Sequence, residues 1–133
     1  MTRVQTLLPR REQGIISRVR VIARSTLNGF VRNRVEGKLQ KIVKGHLNAW
    51  YAETAKASWK NPAELKKQYG SASIISAERA VFNIKGNDYR LITAINYHYQ
   101  VLLIIWIGTH KEYDQIDARK VEYDKQCYAD PSH

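Results

Sequence analysis

The chain has a single cysteine, Cys127, and little acid: 12 Asp and Glu stand against 22 Lys and Arg in 133 residues. One thiol cannot close an internal disulfide, and no Cys/His spacing of the zinc-binding kind occurs. Neither a metal nor any other cofactor is therefore expected. Long apolar runs are also missing. The longest, Val101 to Ile107, is strand-sized and falls well short of the ~20 residues that span a bilayer, so no membrane association is expected. The N-terminus is basic but carries no apolar signal region. The chain is read as not secreted, and a cytoplasmic location fits. Internal repeats and low-complexity segments are absent.

What is present is positive charge, unevenly placed. The formal net charge is +10. From Lys111 onward four basic and six acidic residues give −2, so residues 1–110 hold 18 basic and 6 acidic residues, a net +12. Such a body attracts polyanions, RNA or DNA being the usual ones. A basic chain kept for solubility, or for an acidic protein partner, explains the charge equally well. The apolar fraction of 44% is enough for one core.

Residues 1–18 show no period and contain Pro9 and Gly14. They are expected to be a disordered extension, or to follow a start codon placed too early. One folded domain is expected over 19–122 and a flexible tail over 123–133. Val19 to Ala23 alternates as a first strand, and Ser25 offers a helix N-cap. From Val35 to Ala57 apolar residues recur at helical steps: Leu39, Ile42, Val43, His46, Leu47, Trp50 and Tyr51. Trp50 and Tyr51 are read as core anchors rather than base-stacking platforms. Asn61-Pro62 starts a short helical turn over Ala63 to Tyr69. Four strands are expected at Ser73–Ser76, Arg79–Lys85, Tyr89–Tyr97 and Val101–Thr109. Turns at Gly86-Asn87 and His98-Tyr99 separate the last three. A short helix follows His110, with apolar spots at Tyr113, Ile116 and Val121. The expected class is α+β: β-α-α, then an antiparallel β-meander and a short C-terminal helix, with the helices on one face of the sheet.

The segment FNIKGNDYRL puts unusual polarity at a hairpin tip. If Gly86-Asn87 centres a two- or four-residue loop, Asn83 faces Arg90 and Val81 faces Ile92. Lys85, Asn83 and Arg90 then share one face, opposite Phe82, Ile84, Tyr89 and Leu91. Pairing across His98-Tyr99 places Ile107 beside Arg90 and Thr109 beside Asp88. The segment IGTHKEYD then delivers His110, Lys111 and Tyr113 to the same end of the sheet.

That set suits RNA cleavage without metal. The reaction needs a base for the 2′-hydroxyl, cations for the pentavalent phosphorane, an acid for the 5′-oxygen and a hold on the nucleotide. Arg90 has a fork that can bind two phosphate oxygens. His110 can act as acid or base near neutral pH. Tyr113 can stack on a base or share the proton work, and Lys85 and Lys111 can neutralise charge. Each residue alone has a bland reading: a strand arginine is usually a surface group, and a histidine after a strand usually a turn residue.

The segments AWYAETAKASWKNPAELKKQY, FNIKGNDYRLITAINY and IGTHKEYDQID closely resemble HigB-like toxins, a branch of the RelE superfamily of type II toxin–antitoxin systems. The resemblance covers about Val19 to Val121. It rests on NIKGNDYRL and GTHKEYD occurring together in order and spacing. It implies an mRNA interferase that enters the ribosomal A site, cleaves mRNA without metal, and is restrained by a HigA-like helix-turn-helix antitoxin. In that superfamily an arginine early in the strand matching YRL is functional, here Arg90. Residues after the last long strand contribute, here His110, Lys111 and Tyr113. Lys85 matches the basic residues that precede the YRL strand. The superfamily varies its catalytic set, so acid, base and electrostatic roles stay open for His110. Asn83, Lys60, Arg79, Lys66 and Lys67 are the candidate RNA-binding residues, with Lys38, Lys41, Lys44 and Lys56 as further cations for ribosomal RNA or for a solvated helix face. Two rival readings keep the basic surface without the chemistry: a non-catalytic RNA- or ribosome-binding module, and a decayed toxin that retains only antitoxin binding.

Overall fold

Alternation along three adjacent strands divides the protein into two apolar layers. The computed structural model describes residues 18–124; all but the last residue of the extension expected over 1–18, and most of the tail expected over 123–133, lie outside the described residues. The order is β1 (Arg20–Ile22), α1 (Arg24–Arg34), α2 (Gly37–Ala55), α3 (Pro62–Gln68), β2 (Ser73–Ile74), β3 (Arg79–Ile84), β4 (Tyr89–Asn96), β5 (Val101–Thr109) and α4 (His110–Tyr113). The five strands form one sheet in the order β1-β5-β4-β3-β2. β1 runs parallel to β5 and the other pairs are antiparallel. This is the α+β arrangement expected from the sequence.

On the first face Phe82, Ile84, Tyr89, Leu91, Ile95, Leu102, Ile104 and Ile107 pack under α1–α3 with Leu27, Phe30, Val43, Leu47, Trp50, Trp59 and Leu65. Phe82 is the aromatic centre. Its ring meets Tyr69 at 5.1 Å and Trp50 at 5.3 Å edge-on, and stacks at 6.4 Å on Trp59. Trp50 is thus the core anchor expected of it, and Tyr51 packs at the core's margin under the Arg24 guanidinium. The buried stripe of α2 is narrower than its apolar pattern suggests. Val43, Leu47, Trp50 and Thr54 are inside, whereas Leu39, Ile42 and His46 fall on an exposed flank.

The second face carries its own cluster, and here the expectation of helices on one side only needs correcting. Val81, Ile92 and Ile105 are buried beneath Tyr113, Ile116, Ala118 and Val121. The apolar spots after His110 therefore belong to a cover for the reverse of the sheet. Arg79 pins it, donating from Nη1 to the Ala118 carbonyl at 2.8 Å.

Local signals were followed unevenly. Asn61 caps α3, its side chain accepting from the Glu64 N–H at 3.0 Å, with Pro62 in the first turn. Ser25 is not a cap: α1 begins at Arg24, with extended Ala23 at the N-cap and no side-chain bond. α2 starts two residues later than the pattern predicts, because Val35 is extended and Glu36, with ψ 139°, is also outside the helical range. β2 stops at Ile74, since Ser76 Oγ accepts from the N–H groups of Glu78 and Arg79 and turns the chain.

Candidate RNA-cleavage site

The β3–β4 hairpin sets the first half of the site. Asn83 pairs with Arg90, Ile84 with Tyr89 and Val81 with Ile92, the register expected for a four-residue loop. Lys85 and Gly86 both take positive φ, 53° and 65°, and the Asp88 N–H donates to the Lys85 carbonyl at 3.2 Å. Glycine adopts that backbone freely; for lysine it is uncommon. Lys85 Nζ bonds Asp88 Oδ2 at 2.6 Å. That hydrogen bond, reinforced by the carboxylate's charge, raises the Lys85 pKa above the usual lysine value. Asp88 thus orients Lys85 and holds it as a cation.

Arg90 is half-buried on the second face. Its Nη1 donates to the Asn87 carbonyl at 3.1 Å, and its guanidinium lies 5.9 Å from the Tyr113 ring. The neighbouring Tyr89 points the other way, into the core against Phe30 at 5.7 Å. Burial raises the Tyr89 pKa, which keeps that phenol neutral.

β5 delivers the second half, one residue out of the expected register. Near the β4–β5 turn the pairs are as read, with Thr93 opposite Ile104. A bulge between Ile92 and Thr93 then leaves Ile105 as an extra residue, so Arg90 faces Gly108 and Tyr89 faces Thr109. The expectation of Ile107 beside Arg90 is therefore corrected. The bulge shows in the packing: Ile105 and the next residue, Trp106, both pack in the second-face cluster, where regular alternation would have sent them to opposite faces. The bulge does not carry the later residues away. The His110 N–H donates to the Asp88 carbonyl at 3.0 Å, which joins the hairpin tip to the start of α4. His110 Nε2 lies 3.5 Å from Asp114 Oδ2, an ion pair when the imidazole is protonated. Both groups are about half exposed, and Lys111 is exposed beside them.

Arg90, His110, Tyr113, Lys85, Lys111 and Asn83 thus gather at one end of the sheet. Asn83 Nδ2 donates to the Ser71 carbonyl at 3.3 Å, and Lys66 Nζ donates to the carbonyls of Gly70 and Ala72 at 2.6 Å. Lys66, and Lys67 next to it, therefore flank the Asn83 edge. Lys60 and Arg79 are not brought there. Lys60 follows Trp59, whose N–H donates to Gln100 in the β4–β5 turn, and Arg79 pairs with Ala94. Both lie toward the opposite end of the sheet.

Four site residues escaped the sequence reading: Arg34, Trp106, Gly108 and Glu112. Trp106 lies 6.3 Å from Tyr113. A Cβ on Gly108 would come within 2.5 Å of the Trp106 ring and 2.8 Å of Glu112 Oε1. Thr109 and Glu112 form a capping box, and Arg34 Nη2 reaches Glu112 Oε2 at 2.5 Å from the end of α1. The T-x-x-E spacing of THKE was a readable sign of that box; the Arg34 contact spans 78 residues and leaves no local sign.

The arrangement is an open cationic surface with an aromatic wall, suited to a phosphodiester chain. A hollow of about 800 Å³ between Arg20, Glu78, Asn96 and Tyr99 lies at the other end of the sheet. It holds none of these gathered cations, and an extended anionic substrate does not need an enclosed pocket. Among the described residues no helix is long and apolar enough to cross a membrane.

Residues 43–116 match the model of the HigB toxin family, described as the RelE-like toxic component of a toxin-antitoxin system. The match is narrower than the resemblance over Val19 to Val121, yet it contains all ten candidate residues. Comparison with curated proteins found no match. The matched span is more than half of the chain, and the protein belongs to the HigB family of RelE-like toxins of toxin–antitoxin systems.

Proposed function

We propose that this toxin is a ribosome-dependent mRNA endoribonuclease that blocks translation, works in the cytoplasm without a metal, and is held inactive by a HigA-like helix-turn-helix antitoxin. The observation that carries the reading is the bond from His110 N–H to the Asp88 carbonyl. It brings a proton-transfer group, a phenol and three further cations to a single sheet end. The family supports a toxin with an antitoxin partner, and the reading proposed here adds mRNA in the ribosomal A site as its substrate.

In this scheme the 2′-oxygen of one nucleotide attacks the adjacent phosphorus. The P–O5′ bond breaks, leaving a cyclic phosphate and a 5′-hydroxyl. Arg90 is assigned to the phosphate, where its fork can hold two oxygens as charge builds. Lys85 is assigned an electrostatic role, because a lysine kept protonated by Asp88 is a poor base. His110 and Tyr113 divide the proton transfers, and Lys111 adds charge. Each cationic contact is expected to contribute ~2–4 kcal/mol to lowering the barrier. Asn83, Lys66 and Lys67 would guide the strand along the hairpin edge. Lys60 and Arg79 would meet RNA away from the scissile bond.

The test is induced expression in bacterial cells without the antitoxin, mapping new mRNA 5′ ends. Wild type is compared with Arg90→Ala and His110→Ala at equal abundance and confirmed folding. Growth arrest with in-frame cuts in translated codons, lost in both variants, is the expected result. No new ends with wild type would sink the nuclease reading and favour a binding module.

A further inference from the structure

α4 carries three of the proposed site residues on four residues of helix, too short to hold itself in place. The bond from its first N–H to the Asp88 carbonyl holds one end, and both oxygens of one carboxylate fix the rest. Glu112 Oε1 accepts from the Thr109 N–H at 2.8 Å, while the Glu112 N–H donates to Thr109 Oγ1 at 3.2 Å. Glu112 Oε2 takes the Arg34 guanidinium at the last turn of α1. The bare Gly108 leaves room for the arrangement, since a Cβ there would press on Glu112 Oε1.

We infer that Glu112, held by Arg34, is a positioning residue: it docks α4 on α1 and so sets His110, Lys111 and Tyr113 against Arg90. The inference rests on the RNA-cleavage reading of that site. The carboxylate is committed to Thr109 and Arg34, so it touches neither the proposed phosphate nor the proposed proton donors. The pair is also 34% and 40% exposed at its two side chains. An ion pair so exposed adds little stability. Its value lies in direction, because it joins the capping box of one element to the end of another. A displacement of about 1 Å in a reacting group can lower a rate on the order of 100-fold.

The experiment measures single-turnover mRNA cleavage on programmed ribosomes, ribosome affinity and thermal melting for wild type, Glu112→Gln, Arg34→Ala, Arg34→Lys and the double variant Glu112→Gln/Arg34→Ala. Glu112→Gln can still accept from Thr109 while losing the charge that holds Arg34. We expect both single variants to slow cleavage by about 10- to 100-fold at saturating ribosome, with affinity within about twofold and melting nearly unchanged. The double variant should be no slower than the slower single, because the two residues act as one unit. Arg34→Lys should recover part of the rate. Wild-type cleavage by Arg34→Ala beside a crippled Glu112→Gln would overturn the inference, since Glu112 would then act alone. Losses that merely track the unfolded fraction would overturn it too, leaving a structural role. Failure of wild type itself to cleave would instead defeat the underlying RNA-cleavage reading and this inference with it.

Discussion

His110 and Asp88 are joined through their main chains: the N–H that opens α4 donates to the carbonyl at the end of the β3–β4 loop at 3.0 Å. The Asp88 side chain turns the other way and holds Lys85 at 2.6 Å. One residue therefore fixes a cation with its carboxylate and the imidazole-bearing helix with its backbone. The main-chain bond survives side-chain replacement, so Asp88→Ala should release Lys85 while leaving α4 docked.

Arg90 is the residue whose loss should cost most. Arg90→Ala is expected to slow cleavage by about 100- to 1,000-fold, the scale of removing one oxyanion-type donor. Arg90→Lys should recover little, since an ammonium cannot supply the two-pronged contact. Single-turnover cleavage on programmed ribosomes measures both. Equal rates for Arg90→Lys and wild type would reduce the role to simple charge.

The place of Arg90 was readable because a strand has period 2. Any even loop centred on Gly86-Asn87 sets Asn83 opposite Arg90, so ignorance of the turn type did no harm. The same reasoning failed by one residue on β5. An unbroken apolar run from Val101 to Ile107 offers no polar mark to show where Ile105 slips out of the ladder. The destination of Tyr113, Ile116 and Val121 was hidden for a related reason. Their spacing announces burial but not which face receives them. Arg34–Glu112 is a tertiary contact between segments with no shared local pattern.

Lys85 sits at φ 53°, where a side chain is disfavoured. Lys85→Gly removes that strain but makes the unfolded chain more flexible, and the two effects oppose. Stability should change by less than about 1 kcal/mol while cleavage falls at least about tenfold, since a cation is lost. Urea melting beside cleavage rates separates the two. A rate unchanged by Lys85→Gly would remove Lys85 from the site.

Gly108 faces Arg90 and lies under Trp106. Gly108→Ala places a methyl group 2.5 Å from a ring that is itself packed. A destabilisation of about 1–3 kcal/mol is expected, the usual range for overpacking. Gly86→Ala meets open space and only the strain of φ 65°, and should cost about 1 kcal/mol. Similar melting of the two variants would mean that Trp106 moves aside freely.

Tyr69 gives the fold an alkaline limit. Its hydroxyl donates to Glu53 Oε1 at 2.9 Å. Burial, and then the Glu53 contact, outweigh the opposing Thr54 bond and push its pKa from 10.0 to about 12. The folded value is raised, so the contribution is fully present below pH 10 and is lost as pH climbs toward 12. Stability should fall there by up to about 1.4 kcal/mol per pH unit. Tyr69→Phe should flatten that decline in a pH-resolved urea titration. An unchanged slope would assign the alkaline loss to other groups.

Arg79 and Lys67 separate structural from electrostatic work. Arg79 ties the C-terminal cover to β3 through Ala118, whereas Lys67 is exposed on α3. Arg79→Ala should therefore lower stability by about 1 kcal/mol and also weaken ribosome binding through its lost charge. Lys67→Ala should leave melting unchanged. If each cation meets a phosphate, each variant should lower the slope of log affinity against log salt by about 0.7 to 0.9, because one fewer counterion is released. Binding measured over a range of potassium concentrations reads this directly. A slope that moves with Lys67→Ala but not with Arg79→Ala would leave Arg79 as the clasp of the C-terminal cover and take it out of the RNA surface.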